Sequence, residues 1–200
     1  MLFFTMADSR EDLPEKQVMN DTAVQSAKLE KCLRRVARGR KEAIGEIFDM
    51  TKTAVYGFVL SILKNAEDAE DVLQDTYIKI YLNADAYSPQ GKPMAWIFTI
   101  ARNLSLMKLR MRSRVADIPD YEWEQLSGGD SEFGTEDQMV LTAALSKLSK
   151  EESQIVMLHA VGGAKHREIA DLLDLPLATV LSKYNRAIKK LQTILKEDEE

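Results

Sequence analysis

The sequence predicts an all-α protein: two small helical domains, one a three-helix bundle and one a helix-turn-helix, joined by a flexible acidic linker. Three observations carry this. Apolar residues recur at spacings of three and four in every patterned stretch, and none alternates as a strand would. Gly and Pro gather between those stretches rather than within them. Residues 115–136 contain Pro119, Gly128, Gly129, Gly134 and abundant acid, a composition that buries no core of its own and marks a boundary.

Residues 1–26 show weak periodicity and are expected to form a loose extension. The region from 27 to 114 is expected to be the first domain. Over 42–63, Ile44, Ile47, Phe48, Val55, Phe58, Val59 and Ile62 outline an amphipathic helix. Over 67–82, Ala69, Val72, Leu73, Tyr77, Ile80 and Tyr81 repeat the pattern, with Asp68, Asp71, Gln74 and Asp75 on the other face. The turn cluster SPQGKP follows, and then a helix from Met94 to about Arg112 with Trp96, Ile97, Ile100, Ala101 and Leu104 on one side. Three such helices with short connections pack around one core.

The second domain spans 137–196, ahead of an acidic tail at 197–200. Met139, Val140 and Ala143 begin a helix. Ser149-x-x-Glu152 forms a capping box ahead of Ile155, Val156 and Leu158, and that helix ends near Gly162 and Gly163. Helices at about 165–173 and 178–196 complete the domain. Between them Asp174 sits where the chain turns sharply, a left-handed position that Asp tolerates better than most residues. Pro176 cannot continue the first helix. Thr179 is expected to cap the second or touch phosphate. Val180, Leu181, Tyr184, Ile188 and Leu191 are expected to face the core. Ser182, Lys183, Asn185, Arg186, Lys189 and Lys190 form the outer face, the residue types that a helix in a DNA major groove requires. The helix-turn-helix makes duplex DNA the expected ligand.

The totals exclude other classes. No apolar run approaches the roughly 18 residues that span a bilayer, so no membrane insertion is expected. The opening stretch lacks the basic start of a secretory signal. The single cysteine, Cys32, is expected to be a half-buried helix residue, and a cytoplasmic location follows. There is no phosphate loop, nucleophile or metal cluster. His159 and His166 are read as isolated, with His166 at a helix start near phosphate. No enzyme activity, metal or cofactor is expected.

A net charge of −5 argues against a nucleic-acid binder, but its distribution argues otherwise. Residues 28–41 hold seven Lys or Arg and one Glu, and 65–75 hold five acids and no base. Residues 102–114 hold five bases and no acid, and 115–138 hold eight acids and no base. Residues 165–196 hold seven bases against three acids. Alternating blocks of this kind suit separate surfaces for separate partners.

The segment NAEDAEDVLQDTYIKIY, followed by MAWIFTIARNLSLMKLRMRSR, resembles region 2 of bacterial sigma-70-type factors of the compact extracytoplasmic-function (ECF) group. The segment LSKEESQIVMLHAVGGAKHREIADLLDLPLATVLSKYNRAIKKL resembles region 4 of the same group. The resemblance covers roughly residues 41–195 and implies a dissociable subunit of RNA polymerase that directs promoter-specific initiation. It implies that Asp68, Asp71, Gln74 and Asp75 dock on the clamp helices of core polymerase, a carboxylate cluster meeting a basic helix. It implies that the helix bearing Trp96, Arg102, Asn103, Lys108 and Arg110 opens and reads the −10 element, with Arg112 and Arg114 also on phosphate. Trp96 packs in the core or stacks on a base, and the loop 83–93 captures a flipped base. It implies that Thr179, Ser182, Lys183, Asn185, Arg186 and Lys189 read the −35 element, that the polymerase flap is a further contact, and that an anti-sigma protein is a partner.

The chain departs from the family pattern at Met107, where many members carry Asp, at Leu181 and Ile188, often basic, and at Thr99. These departures bear on promoter bases and phosphate grip, not on the helical framework. Two competing readings are disfavoured. A response regulator would bring an alternating strand pattern at its N-terminus, and a helical enzyme would bring a reactive cluster.

Overall fold

The structure is a computed structural model that describes residues 15–115 and 135–198. The first 14 residues, 116–134 and the last two lie outside the described residues, and with them most of the expected linker and half of the acidic tail. Among the described residues there are eight α-helices and no strand. They are α1 (Glu15–Ala37), α2 (Ala43–Leu63), α3 (Ala66–Asn83), α4 (Pro93–Val115), α5 (Thr135–Ser146), α6 (Lys150–Val156), α7 (His166–Leu173) and α8 (Leu177–Asp198). A 3-10 turn, Ala84–Ala86, follows α3, and a π-helical turn, Met157–Val161, extends α6.

Helix α1 overturns the expectation of a loose extension through residue 26. Leu29, Cys32, Leu33 and Val36 are buried at helical spacing and pack against α2, which orders the polar turns ahead of them. Cys32 is fully rather than half buried. The first domain is therefore a four-helix arrangement, with α1 closing the side of α2 that three helices would leave bare.

Helix α2 lies at the centre. Its C-cap, Lys64, is left-handed at φ 55°, and its amide donates to the Leu60 carbonyl at 2.8 Å. The next residue, Asn65, accepts the Asp68 amide at 2.8 Å and starts α3. A two-residue turn thus reverses the chain and lays α3 along α2. Between them Thr51 and Tyr77 share a buried hydrogen bond of 2.8 Å, and Phe48 meets Tyr77 edge-on. From Ala54 to Leu63 every residue of α2 is buried. A one-sided amphipathic helix would leave Tyr56, Gly57 and Ser61 in water, but all three are buried, and at Gly57 the cover is Met157 and Leu141 of the second domain.

The two domains share one apolar core, and α2 touches α5, α6 and the π turn. Gly57 is where α2 meets the Met157 side chain: a Cβ there would lie 2.2 Å from the methionine methyl. Gly162 meets the Phe98 ring in the same way, with a Cβ falling 2.4 Å from Cζ and 3.0 Å from the Leu158 carbonyl oxygen. Phe98 is itself buried against Phe58, with ring centroids 5.2 Å apart. At the edge, Lys92 ahead of α4 pairs with Glu168 of α7 at 3.5 Å.

The second domain is organised by caps. Ser149 and Glu152 form the expected capping box. Burial acts to raise the Glu152 carboxyl, but Lys190 at 2.7 Å and the Ser149 amide and hydroxyl hold it below the ordinary carboxylate range. Asp174 is left-handed, at φ 56° and ψ 49°, and ends α7 as expected. Ile169, Ala170 and Val180 are buried where α7 and α8 cross.

Gly162→Val should separate the domains, because the Phe98 ring cannot yield in its packed site and overpacking costs about 1–3 kcal/mol. Small-angle scattering should report a larger radius of gyration than for the parent chain, and an unchanged radius would show that the contact does not hold the domains together.

Candidate nucleic-acid interface

Two surfaces collect the residues singled out in the sequence. The first lies along α3 and α4. Asp68 and Asp71 are one turn apart on α3, and Lys108 and Arg112 are one turn apart on α4, so the two pairs face each other where the helices pack. Lys108 Nζ reaches Asp68 at 3.1 Å and Asp71 at 3.0 Å, and Arg112 pairs with Asp68. The Asp71 hydrogen bond, aided by Asp68, holds the Lys108 ammonium above its ordinary range despite partial desolvation. Gln74 and Asp75, one turn further along α3, face solvent. The four acidic-face residues therefore divide into two that are engaged with α4 and two that are open.

On α4, Asn103 and Arg110 are exposed and Arg102 is half-buried. Arg102 lines a cleft with Leu106 against Lys150, Glu151 and Leu173 of the second domain. Met107 and Met111, 51% and 58% exposed, lie on the same side as Asn103. Trp96 is half-buried against the core and tilted onto Tyr87, with centroids 5.3 Å apart. Of its two expected roles the packing one is visible. Tyr81, expected on the buried face of α3, is 37% exposed beside the open residues Ile78 and Leu82.

The loop after α3 is held by α1, a restraint that sequence reasoning missed. Glu30 Oε1 accepts both the Tyr87 hydroxyl and the Gly91 amide, each at 2.8 Å. Ser26 donates to the Gly91 carbonyl at 3.2 Å. Gly91 is at φ +72°, which only glycine adopts at no cost. Burial and the Glu30 carboxylate push the Tyr87 phenol well above its ordinary value. The signal for α1 was its apolar spacing at 29, 32, 33 and 36.

The second surface is the outer face of α8. Ser182, Asn185, Arg186 and Lys189 are exposed, as the major-groove reading needs. Lys183 is partly withdrawn and pairs with Glu151 at 2.7 Å. Thr179 does not cap the helix: α8 begins at Leu177, and the Thr179 amide bonds the Pro176 carbonyl inside the first turn. Leu181, expected in the core, is 42% exposed and joins the outer face. Lys190 is exposed as expected, and its ammonium pairs with the buried Glu152 at 2.7 Å.

The histidines are not isolated. Helix α7 starts beside the π turn, which brings the His159 and His166 rings to 3.9 Å and sets both against Tyr184 of α8 at 4.7 and 5.0 Å. His159 Nδ1 bonds the Ala164 carbonyl at 2.8 Å. Burial first, and the neighbouring His159 second, lower the His166 pKa from its ordinary value near 6.5. His166 is thus a half-buried ring packed under the recognition helix.

Comparison with known proteins agrees with this geometry. Residues 47–115, covering most of α2 and all of α3 and α4, match the model for sigma-70 region 2. Residues 138–191 match the model for sigma-70 region 4, and the two matches together take in more than half of the chain. The chain belongs to the sigma-70 family of RNA polymerase sigma factors. Sigma factors direct transcription initiation. Among similar proteins of this family are the ECF RNA polymerase sigma factor SigK of Mycobacterium ulcerans and SigW of Bacillus subtilis. SigK is 26% identical over 170 residues, covering 82% of this chain and 91% of that protein. SigW is 24% identical over 187 residues, covering 84% and 97%. Among solved structures, the sigma factor RpoE bound to the anti-sigma factor NepR from Bartonella quintana superposes with a TM-score of 0.59 and 27% identity, covering 76% of this chain and 96% of that one. CnrH in complex with the cytosolic domain of CnrY shares the fold at 22% identity, with a TM-score of 0.56 and coverage of 86% and 99%.

Glu30→Ala should release the loop after α3, and amide exchange at Gly91 should quicken at least roughly tenfold, from the loss of about 1.5 kcal/mol or more expected for a bond to a charged group. Unchanged exchange would mean that the loop holds itself. The lowered His166 pKa means that the unfolded chain takes up this proton more readily than the fold does, so stability is complete above about pH 6.5 and falls as the pH drops below it. Melting temperature against pH should show that decline, and His166→Gln should flatten it.

Proposed function

We propose that the chain is an ECF-type factor that reads promoters with two surfaces and is brought to them by core RNA polymerase. The observation that carries this is a division of labour along the chain. An open acidic face at Gln74 and Asp75 lies beside a helix bearing Arg102, Asn103 and Arg110, and a separate recognition helix presents Ser182, Asn185, Arg186 and Lys189. In this reading the acidic face of α3 docks on the clamp helices, and the flap meets the second domain. Helix α4 opens and reads the −10 element, Trp96 backs the loop that takes a flipped base, and α8 reads the −35 element from the major groove. Polymerase and chromosome place the work in the cytoplasm. No helix among the described residues is long and apolar enough to cross a membrane.

The two promoter elements are named for positions roughly 25 base pairs apart, on the order of 80 Å of duplex. Domains that share a core cannot engage both, so promoter reading requires them to part. The closed arrangement also supports an anti-sigma partner, since a protein that binds across both domains would favour it over the open one. The solved relatives RpoE and CnrH are each complexed with another protein, which for RpoE is the anti-sigma factor NepR.

Mixing the chain with core polymerase and a promoter library should give co-purification and specific initiation, and failure to bind core would remove this reading. Asp75→Lys should weaken core binding without altering the helical circular dichroism. Arg186→Ala should cost about 1–3 kcal/mol at one −35 base pair if it reads a base, or lower the salt slope by about one unit if it holds phosphate.

A further inference from the structure

The residues assigned to polymerase and those assigned to promoter phosphates hold one another. Asp68 and Asp71 of α3 carry two negative charges, and Lys108 and Arg112 of α4 carry two positive ones, joined by three ion pairs. The set is locally neutral. A DNA phosphate and an aspartate carboxylate offer a cation the same kind of oxygen acceptor, so they compete for the same site. A basic residue of a partner competes with Lys108 for Asp71 in the same way.

We propose that Asp68 and Asp71 are positioning residues that withhold Lys108 and Arg112 from nucleic acid until polymerase draws the carboxylates away, so that core binding arms the −10 helix. This rests on the assignment of α3 to polymerase and of α4 to promoter DNA. Exposure fits an exchangeable network. Asp71 is 60% exposed, which gives a competing cation direct access, while the Asp68 side chain is 14% exposed and reaches both cations at once. Asp71 is the point of entry, and Asp68 holds the spacing of the two cations. Because each partner displaces what holds back the other, the two bindings reinforce each other by the same factor.

The test uses the full chain and needs no known promoter. Anisotropy of a labelled single-stranded oligonucleotide is measured against salt without polymerase. Asp71→Asn should bind several-fold more tightly than the parent, with a log–log salt slope steeper by about 0.7, the value for one further phosphate contact on a single strand. Asp68→Asn/Asp71→Asn should double that change. Asp75→Asn removes the same charge from the same helix outside the network, and its slope should stay at the parent value. An equal gain from Asp75→Asn would reduce the effect to general charge relief and overturn the proposal, as would no gain from Asp71→Asn. In a second arm, Lys108→Met frees Asp71 of its competitor and should tighten core polymerase binding several-fold, and weaker or unchanged binding would also overturn it. Failure of Asp75→Lys to weaken core binding would instead remove the assignment of α3 to polymerase, and the oligonucleotide arm stands apart from that result.

Discussion

The constraint on which the rest depends is the burial of the second half of α2, from Ala54 to Leu63, on every side. A helix that is apolar around its whole circumference has no face to give to water, so something must cover each quadrant. Helices α1, α3 and α4 take three of them, and the second domain takes the fourth through Met157 and Leu141. The positions of α3 and α4 relative to each other, and so the facing rows of acid and base, follow from both being packed on α2. Parting the domains uncovers Gly57, Phe98, Met157 and Gly162. Apolar surface costs about 25 cal/mol per Å² when exposed, so an open state needs a partner that re-covers it or supplies equal binding energy. A polymerase subunit that binds only when polymerase is present fits that requirement.

Charge follows a second rule. The basic blocks in the sequence suggest several cations ready for phosphate, yet Lys108, Arg112, Lys183 and Lys190 are each matched to a carboxylate. The exposed pairs add little stability, for surface ion pairs contribute about 0–1 kcal/mol. Their effect is on the field. A matched cation attracts a distant phosphate less than an open one, and a chain of net charge −5 then has little long-range pull toward DNA. Arg110, Arg186 and Lys189 remain as outward bases that do not need to be released first.

Most of the helical plan was legible because it depends on local pattern. Helix α2, the Ser149 capping box and the left-handed Asp174 were each set by a few neighbouring residues. What escaped depends on residues distant in sequence. Helix α1 opens on mostly polar turns, and its apolar contacts at 29, 32, 33 and 36 acquire meaning only against α2. The His159–His166–Tyr184 cluster joins three elements, and nothing in the spacing of two histidines reveals that the π turn stacks them. Leu181 carries a core residue type at a position that α8 turns outward, because Val180 and Tyr184 already fill the space under the recognition helix. At the candidate site, residue types were legible and pairings were not: the acidic row of α3 and the basic row of α4 are both visible in the sequence, but their alignment is set by the Lys64–Asn65 reversal and the packing on α2.

On the proposed reading, two restraints keep this sigma factor from gripping a promoter by itself, and they obey different physics. The domain contact is apolar and close-packed around Phe98 and Gly162. Salt does not screen it, and salts excluded from protein surfaces strengthen it. The network of Asp68, Asp71, Lys108 and Arg112 is ionic and partly exposed, so salt weakens it over the same range that weakens DNA binding. The two also stand in series: core polymerase has to unlock charge on α3 and supply cover for the opened faces of α2 and α4. A partner that did only the first would arm the −10 helix while leaving the −35 helix out of reach. A partner that did only the second would extend the chain with Lys108 and Arg112 still held. On the proposed reading one partner has to meet both conditions, and that makes promoter reading contingent on polymerase.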